Sequence, residues 1–300
     1  AVQHTTTGVG ITFDATDNGT ATINGNINLN SANTAGVTRS ITVNNGTATE
    51  DLIIGGAMSH GANATNISKL AGGRLVLTGN NTLTGTVAVS SGGVYLADAN
   101  GALANCGAIT IANGTTLACD NALANNTNRV NDASGLTLQG GNFTLVAHAA
   151  GTDETVGQLN VNIGLSTVRL TANGGTTKVK FADGATNWLA SRQAGGVLNF
   201  AGNMGTATEQ ILLNTQAAGL IAGWTWVGSR PAWYGANGVE PAPAGTVTLN
   251  AAGNTGTDST LDTLAFTYND PANPTGKAVL LSEFNIAGGG TVDLAGVTIT

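Results

Sequence analysis

"GGRLVLTGNNTLTGTVAVSSGGVYL", residues 72–96, is a run of short apolar triplets separated by glycine, asparagine and serine. The triplets at 75–77, 87–89 and 94–96 each have the length of a very short β-strand. A strand of this length is not stable by itself, because its backbone groups and its apolar face need partners. The stretch therefore predicts strands that are held in place by other parts of the chain.

The composition favours short strands and tight turns over helices. Hydrophobic residues make up 41% of the 300 positions, which is enough to bury a core and excludes a disordered chain. β-Branched residues suit a pleated surface, and the 44 glycines and many asparagines accept the positive φ angles of turns. We therefore expect an all-β protein.

The charge and hydropathy patterns argue against two kinds of partner. The net charge is -7 and the 10 lysines and arginines are scattered, whereas phosphate binding needs clustered basic residues. No apolar run approaches the roughly 20 residues that a membrane helix needs. We expect neither nucleic-acid binding nor a membrane span. Scarce lysine, abundant threonine and asparagine, and only 2 cysteines favour an extracellular or cell-surface location.

Units of the same kind recur further along the chain. Each consists of a strand, an Asn-Gly or Gly-Gly corner and a second strand, and equivalent strands are spaced by roughly 20 to 27 residues, as in solenoid proteins. The repetition predicts one small unit that is used several times. Examples are "GAITIANGTTLACDNAL" (107–123), "SGLTLQGGNFTLVAHA" (134–149) and "VGQLNVNIGLSTVRLTANGG" (156–175).

Two architectures are compatible with these units. The strand pairs are either β-hairpins of a sandwich, for which Asn113-Gly114 is a suitable type I′ turn, or coils of a parallel β-solenoid or β-helix. Sandwich strands are normally about five or six residues long, which is longer than these triplets. Triplets such as 109–111 and 136–138 also direct two apolar side chains inward and one threonine outward. The pattern favours the parallel β-solenoid, with coils stacked about 4.8 Å apart.

Residues 70–105, "LAGGRLVLTGNNTLTGTVAVSSGGVYLADANGALAN", resemble the autotransporter-associated β-strand repeat. That repeat runs as a Gly-Thr-Leu strand, a Gly-x-Asn-Thr-Tyr-Thr-Gly corner, a Thr-rich strand, a second Gly-Thr-Leu and then Asn-x-x-Ala-Leu-Gly. Leu83 takes the place of its aromatic residue. Segments 39–61, 136–175 and 219–239 are similar to segments that flank the repeat in giant modular surface proteins of bacteria. The resemblance implies a secreted β-solenoid passenger with a structural or adhesive role.

The composition changes near residue 220. Three of the 4 tryptophans lie between positions 224 and 233, and four of the 5 prolines lie between positions 231 and 271. We therefore predict an N-terminal β region at 1–69, β-solenoid repeats at 70–222, and a C-terminal β cap or module at 223–300.

The predicted function is structural. A solenoid ends in unpaired backbone groups, which a neighbouring copy can satisfy by strand addition. We expect a subunit of an extracellular filament, layer or adhesive fibre that binds copies of itself head to tail. The candidates for this contact are apolar residues that alternate near the two ends, namely Val9, Ile11, Phe13, Val292, Leu294, Val297 and Ile299.

A carbohydrate-active β-helix enzyme is the main alternative. Cleavage of a glycosidic bond by acid and base needs two carboxylates at a fixed separation. The close acidic pairs lie beside turn residues and do not recur at equivalent positions of successive units, so the sequence predicts no catalytic residue, no metal site and no cofactor. The pairs are Asp14 and Asp17, Glu50 and Asp51, Asp153 and Glu154, and Asp258 and Asp262.

The aromatic residues near position 230 have two interpretations. Exposed aromatic side chains mark recognition surfaces, and buried ones fill the end of a core. Trp224, Trp226, Trp233 and Tyr234 are therefore either a carbohydrate-binding platform or a cap. The first interpretation makes the protein a carbohydrate-binding adhesin with a surface polysaccharide as its partner.

Cys106 and Cys119 flank one strand-corner-strand unit. In an oxidising compartment two cysteines this close can form a disulfide if their Cα atoms come within about 7 Å. Alternatively, both side chains are small buried apolar groups in neighbouring coils. The sequence leaves these two alternatives open.

Overall fold

The computed structural model describes residues 2–3, 10–14, 19–242, 247–251 and 264–268. These residues form strands, turns and loops without a helix, which confirms the all-β prediction for the described part of the chain. The same ranges accordingly contain no helix that is long and apolar enough to cross a membrane.

The strands are short throughout the described ranges. Most have three to six residues, as the triplet pattern predicts. In chain order they are β1 (Val2–Gln3), β2 (Ile11–Phe13), β3 (Ala21–Ile23), β4 (Ile27–Asn28), β5 (Val37–Val43), β6 (Leu52–Ile54), β7 (Met58–Ser59), β8 (Thr65–Leu70), β9 (Arg74–Leu77), β10 (Val87–Val89), β11 (Gly93–Leu96), β12 (Ile109–Ile111), β13 (Thr116–Asp120), β14 (Leu136–Leu138), β15 (Asn142–Val146), β16 (Thr152–Val156), β17 (Leu159–Val161), β18 (Gly164–Thr171), β19 (Thr177–Phe181), β20 (Leu189–Arg192), β21 (Gly196–Ala201), β22 (Glu209–Leu213), β23 (Gly219–Leu220), β24 (Thr225–Val227), β25 (Arg230–Gly235), β26 (Gly238–Pro241), β27 (Val247–Ala251) and β28 (Leu264–Tyr268).

The chain is divided into two compact units, residues 1–242 and residues 243–300. In the second unit β27 and β28 pair antiparallel. The predicted boundaries at 69/70 and 222/223 both lie inside the first unit. Strand β8 contains residues 69 and 70 and pairs in parallel with β5, so the parallel pairing begins well upstream of residue 70.

Four sheets make up the described part of the first unit. Sheet 1 has the order β2-β5-β8-β10-β12-β14-β17-β20, and every pairing in it is parallel. Sheet 2 runs in parallel from β3 through β6, β9, β11, β13, β15, β18 and β21 to β24, and then continues with antiparallel β25, β23 and β26. Sheet 3 is β16-β19-β22, and sheet 4 is β1-β4-β7.

The chain passes through sheets 1 and 2 in alternation, and we call its passage from one strand of sheet 1 to the next a circuit. Each strand pairs with the equivalent strands of the preceding and following circuits. In sheet 1, Leu136 aligns with Ile109 on one side and with Leu159 on the other. Leu136 and Leu138 are fully buried and Thr137 is half-buried, which confirms the predicted inward and outward positions of this triplet. Neighbouring circuits therefore stabilise strands that are too short to persist alone.

The core of the first unit consists of apolar rows that continue from circuit to circuit. One row in sheet 2 joins residues at aligned positions of six consecutive strands, and each of them is at most 2% exposed. Burying such a side chain stabilises the fold by about 1.5–3 kcal/mol. The row is Leu75, Val94, Leu117, Phe143, Val168 and Phe200.

Three long basic side chains are also fully buried, namely those of Arg39, Lys69 and Arg129. The Lys69 ammonium group donates to the carbonyl oxygens of Leu70, Ala71 and Ser91 at 2.7–3.1 Å. Buried charges are tolerated only when they are hydrogen-bonded, and here backbone carbonyls at the corners of the circuits serve as acceptors. These side chains tie successive circuits together.

Candidate assembly and recognition surfaces

The strand nearest the N-terminus in sheet 1 is an edge strand within the described residues. Strand β2 pairs with β5 alone, with Ile11 opposite Ile41 and Phe13 opposite Val43. Ile11 and Phe13 are half-buried against the core and Thr12 is exposed. The structure thus places two of the predicted assembly residues in this edge strand. The others, Val9, Val292, Leu294, Val297 and Ile299, lie outside the described residues.

The backbone of β2 directs one residue toward the open edge. The Phe13 carbonyl accepts the N–H of Asn44, which follows β5. The N–H and C=O groups of successive residues point to opposite sides of a strand. Because the carbonyl of Phe13 points toward β5, the N–H and C=O groups of Thr12 point away from β5. They present a donor and an acceptor where a further strand would pair.

The opposite end of the first unit is built differently. Strand β20 is the last of sheet 1, and it pairs with β17 through a register shift between Leu159 and Asn160. Three of its four residues are exposed, including Arg192. Sheet 2 ends in the antiparallel strands β25 and β26. Irregular pairing and charge are features that discourage pairing at an edge, so β20 is more protected than β2.

Two of the four predicted aromatic residues, Trp224 and Tyr234, pack against the core. Trp224 stacks on Trp188, with ring centroids 6.3 Å apart and an interplanar angle of 27°, and the Arg192 guanidinium lies 5.0 Å from the Trp224 ring centroid. The Trp188 indole N–H donates to Gln216 Oε1 at 3.0 Å. Trp188 lies outside the tryptophan-rich stretch, so the sequence analysis did not single it out.

The other three aromatic residues lie on the antiparallel strands and next to them. Tyr234 packs against the core, and its hydroxyl oxygen accepts the N–H of Leu213 at 3.3 Å. Trp226 and Trp233 are half-buried on β24 and β25. Trp224 and Tyr234 therefore contribute to packing at this end of the unit.

A row of amide side chains lies at the corner between sheets 1 and 2. Gln139, Asn162 and Gln193 each follow directly after a strand of sheet 1, at equivalent positions of three successive circuits. Their backbone N–H groups donate to the carbonyl that ends the neighbouring strand, at 2.8–2.9 Å. Asn113 lies beside them in the preceding circuit. The row could be found by aligning the repeated units, but the sequence analysis did not identify it.

These amides line a groove of about 560 Å³, which we call the amide groove. Gly140, which follows the lining residue Gln139, has a φ of +77°, and a Cβ atom there would lie 2.7 Å from Asn113 Oδ1, so this position favours glycine. Ile163, one of the lining residues, is 67% exposed, and the nearby Leu165 is 63% exposed. The groove is lined by Asn113, Gln139, Asn162, Ile163, Gly164 and Gln193.

The described acidic pairs do not converge on a common site. Asp153 and Glu154 point to opposite faces of β16, Asp153 outward and Glu154 into the core. Asp51 is buried and accepts the backbone N–H groups of Gly46 and Arg74, each at 2.7 Å. Its neighbour Glu50 forms an ion pair with Arg74 at 3.8 Å. Asp17, Asp258 and Asp262 lie outside the described residues.

Glu154 and Arg129 form a buried polar cluster. Glu154 Oε1 accepts the backbone N–H groups of Arg129 and Val130 at 2.8 Å, while its Oε2 has no hydrogen-bond partner. Burial raises the pKa of Glu154 to about 8. The Arg129 guanidinium donates to the side chain of Asn121 and to the carbonyl oxygens of Asp98, Gly101 and Ala124.

Both cysteines are free thiols in this structure. Cys119 is aligned with Leu96 and Leu145 in sheet 2, and both thiols are buried. Burial raises the pKa of Cys106 to about 12 and raises that of Cys119 well above its ordinary value. This is the arrangement that the sequence analysis gave as the alternative to a disulfide.

The described histidines serve turns and corners. His60 Nε2 accepts the N–H of Thr84 at 3.2 Å, and His148 Nδ1 accepts the N–H of Ala150 at 3.1 Å. Within the ranges that the structure covers, no three His, Cys, Asp or Glu side chains come close enough to share a metal ion.

No protein-family model, no curated protein and no solved structure matches this chain. The resemblance to the autotransporter-associated repeat therefore stays a prediction that rests on the residues quoted above.

Proposed function

We propose that the chain is a secreted β-solenoid subunit of an extracellular bacterial filament, layer or adhesive fibre, and that it assembles head to tail. The observation that carries the proposal is the repeated parallel pairing of circuits, which stops at an open edge strand, β2. Each circuit is completed by its neighbours. In sheets 1 and 2 the first described circuit has a neighbour on one side only, whereas in sheet 4 its strand β4 pairs with both β1 and β7. A second copy of the chain supplies the missing neighbour.

The solenoid part of the proposal rests on the order in which the chain visits the sheets. Consecutive strands of sheet 1 and of sheet 2 come from consecutive circuits, and the apolar row from Leu75 to Phe200 runs through six strands of sheet 2. This is the nearest-neighbour organisation of solenoid proteins, in which stability is distributed over contacts between adjacent repeats.

The structural role is supported by how the polar groups are used. Most buried charged groups of the described residues bind backbone groups at corners, as Lys69 and Asp51 do. They stabilise the circuits through these backbone contacts. A secreted scaffold or spacer needs a long-lasting fold of this kind more than it needs a reactive site.

The head-to-tail part rests on the open edge of β2. Main-chain pairing between an edge strand and a strand of another copy gives affinity, and the alternating side chains set its register. A contact between two different surfaces of the same chain repeats into an open filament unless the rotation closes a ring. By their alternation, residues 291–300 are the candidate for the added strand.

Light scattering over a concentration series tests this proposal. The full chain should increase in mean mass with concentration. Thr12→Pro removes the N–H that points to the open edge and leaves the β2–β5 contacts of Ile11 and Phe13 in place, so it should stay monomeric. Thr12→Val, which keeps that N–H, is the matched control and should assemble as the wild type does. A wild type that is monomeric at every concentration, or a proline variant that assembles equally well, contradicts the proposal.

A further inference from the structure

The amide side chains of the groove differ in one respect from many other asparagines of this protein. Asn30 and Asn81, for example, use both amide atoms to close turns and to join circuits. By contrast, the side chains of Asn113, Gln139, Asn162 and Gln193 make no hydrogen bond to any described residue, so their donors and acceptors are directed to solvent. They are available to a ligand.

The spacing of the row restricts the ligand. Gln139, Asn162 and Gln193 occur once per circuit on adjacent parallel strands, so they repeat every 4.8 Å or so along the stacking direction. An extended peptide rises by only about 3.3 Å per residue, so its groups do not match this step. An extended chain of β-1,4-linked sugars advances by a similar step per sugar, and it presents hydroxyl groups along each edge.

The chemistry of the lining residues also favours a sugar chain as the ligand. None of the six lining residues is ionisable, which favours an uncharged ligand. Each amide offers both a donor and an acceptor, as each sugar hydroxyl does, so every pair can form a hydrogen bond in either direction. The exposed Ile163 and Leu165 provide apolar surface for the C–H face of a sugar ring.

We propose that the amide groove binds an extended, uncharged β-1,4-linked polysaccharide whose sugars follow the stacking direction of the circuits. The groove lies on the side of the sheets and does not involve β2. Binding is therefore independent of head-to-tail assembly, and Thr12→Pro should leave it unchanged. A subunit with this groove would attach an assembled layer to a neutral cell-surface glycan.

Isothermal titration calorimetry of the full chain with the hexasaccharides of cellulose, mannan, xylan and chitin tests the site. At least one of these neutral probes should bind, and hexamannuronate, which is also β-1,4-linked but charged, should bind more weakly. The triple variant Gln139→Ala/Asn162→Ala/Gln193→Ala should lose at least tenfold in affinity. The single variant Gln193→Ala, at the end of the row, should lose less. Asn128→Ala, an exposed amide away from the groove, is the matched control and should bind as the wild type does.

Circular dichroism establishes that each variant is folded before titration. The proposal is overturned if none of the neutral hexasaccharides binds, if the charged probe binds more tightly, or if the triple variant retains wild-type affinity. Loss of binding in Trp226→Ala/Trp233→Ala, with the triple variant unaffected, would also overturn it and would place the site on the aromatic residues.

Discussion

Glu154 and Arg129 are joined through a backbone hydrogen bond rather than through an ion pair: Glu154 Oε1 accepts the Arg129 N–H at 2.8 Å. The Arg129 guanidinium instead donates to the carbonyl oxygens of Asp98 and Gly101 in the preceding circuit and of Ala124 in its own circuit. A buried carboxyl group and a buried guanidinium thus lie close together, and each is bound mainly to the backbone. The carboxyl group is left desolvated, which is why its pKa is raised.

The first prediction is a pH dependence that Glu154 contributes. Its pKa is about 8 in the folded protein against an ordinary value of 4.5, so between these values the folded state binds more protons than the unfolded state. The contribution of Glu154 to the free energy of unfolding is therefore fully present below pH 4.5. It is lost as the pH rises toward 8, by at most about 1.4 kcal/mol per pH unit. Glu154→Gln should flatten the dependence of the unfolding free energy on pH, where each free energy is measured by urea unfolding. An unchanged profile in this variant would show that Glu154 does not take up the proton.

Arg129 is the subject of the second prediction. Arg129→Met leaves two buried acceptors without their guanidinium donor, the Gly101 carbonyl oxygen and the Asn121 side-chain oxygen, and each such loss costs about 1–3 kcal/mol. We expect a destabilisation of about 3 kcal/mol or more in urea unfolding. Arg169→Met removes an exposed arginine from β18 and is the matched control, with an expected change within about 0.5 kcal/mol. Equal effects of the two substitutions would contradict the role assigned to Arg129.

The third prediction concerns the inward positions of sheet 1. Leu136→Asp or Leu138→Asp buries an unpaired carboxylate between two circuits and should cost several kcal/mol. Thr137→Asp places the same group on the outer face of the same strand and should be tolerated. Thermal unfolding followed by circular dichroism compares the three variants. Similar melting temperatures for Leu136→Asp and Thr137→Asp would refute the inward and outward assignment.

The fourth prediction concerns the two thiols. Because both are buried and burial raises their pKa values, neither should react with a thiol reagent such as DTNB in the folded protein at neutral pH. Both should react once the protein is unfolded in guanidinium chloride. Intact mass under non-reducing conditions is the complementary measurement, since a loss of two hydrogens would reveal a disulfide.

Much of the local structure was predictable from the sequence. The triplet 136–138 is a three-residue strand with the expected burial, because two apolar residues around a threonine specify one face of a short strand. The onset of parallel pairing upstream of residue 70 was not predicted. Strand β5 has charged and polar residues at several positions, and the sequence alone does not show that Arg39 is buried.

The candidate sites were less predictable than the strands. Pairing between distant segments determines which side chains meet, and this brought Trp188 against Trp224 across 36 positions of sequence. It also aligned Gln139, Asn162 and Gln193 into a row, although they are separated by loops of different length. Local patterns indicate the face of a strand on which a residue lies, but they do not indicate its neighbour in the next circuit.

Electron microscopy of the purified full chain over a range of concentrations tests the central claim, head-to-tail assembly of a β-solenoid, most directly. Head-to-tail assembly predicts unbranched filaments of constant width that lengthen as the concentration rises and that are absent from Thr12→Pro. Separate particles of single-chain size at every concentration would contradict it.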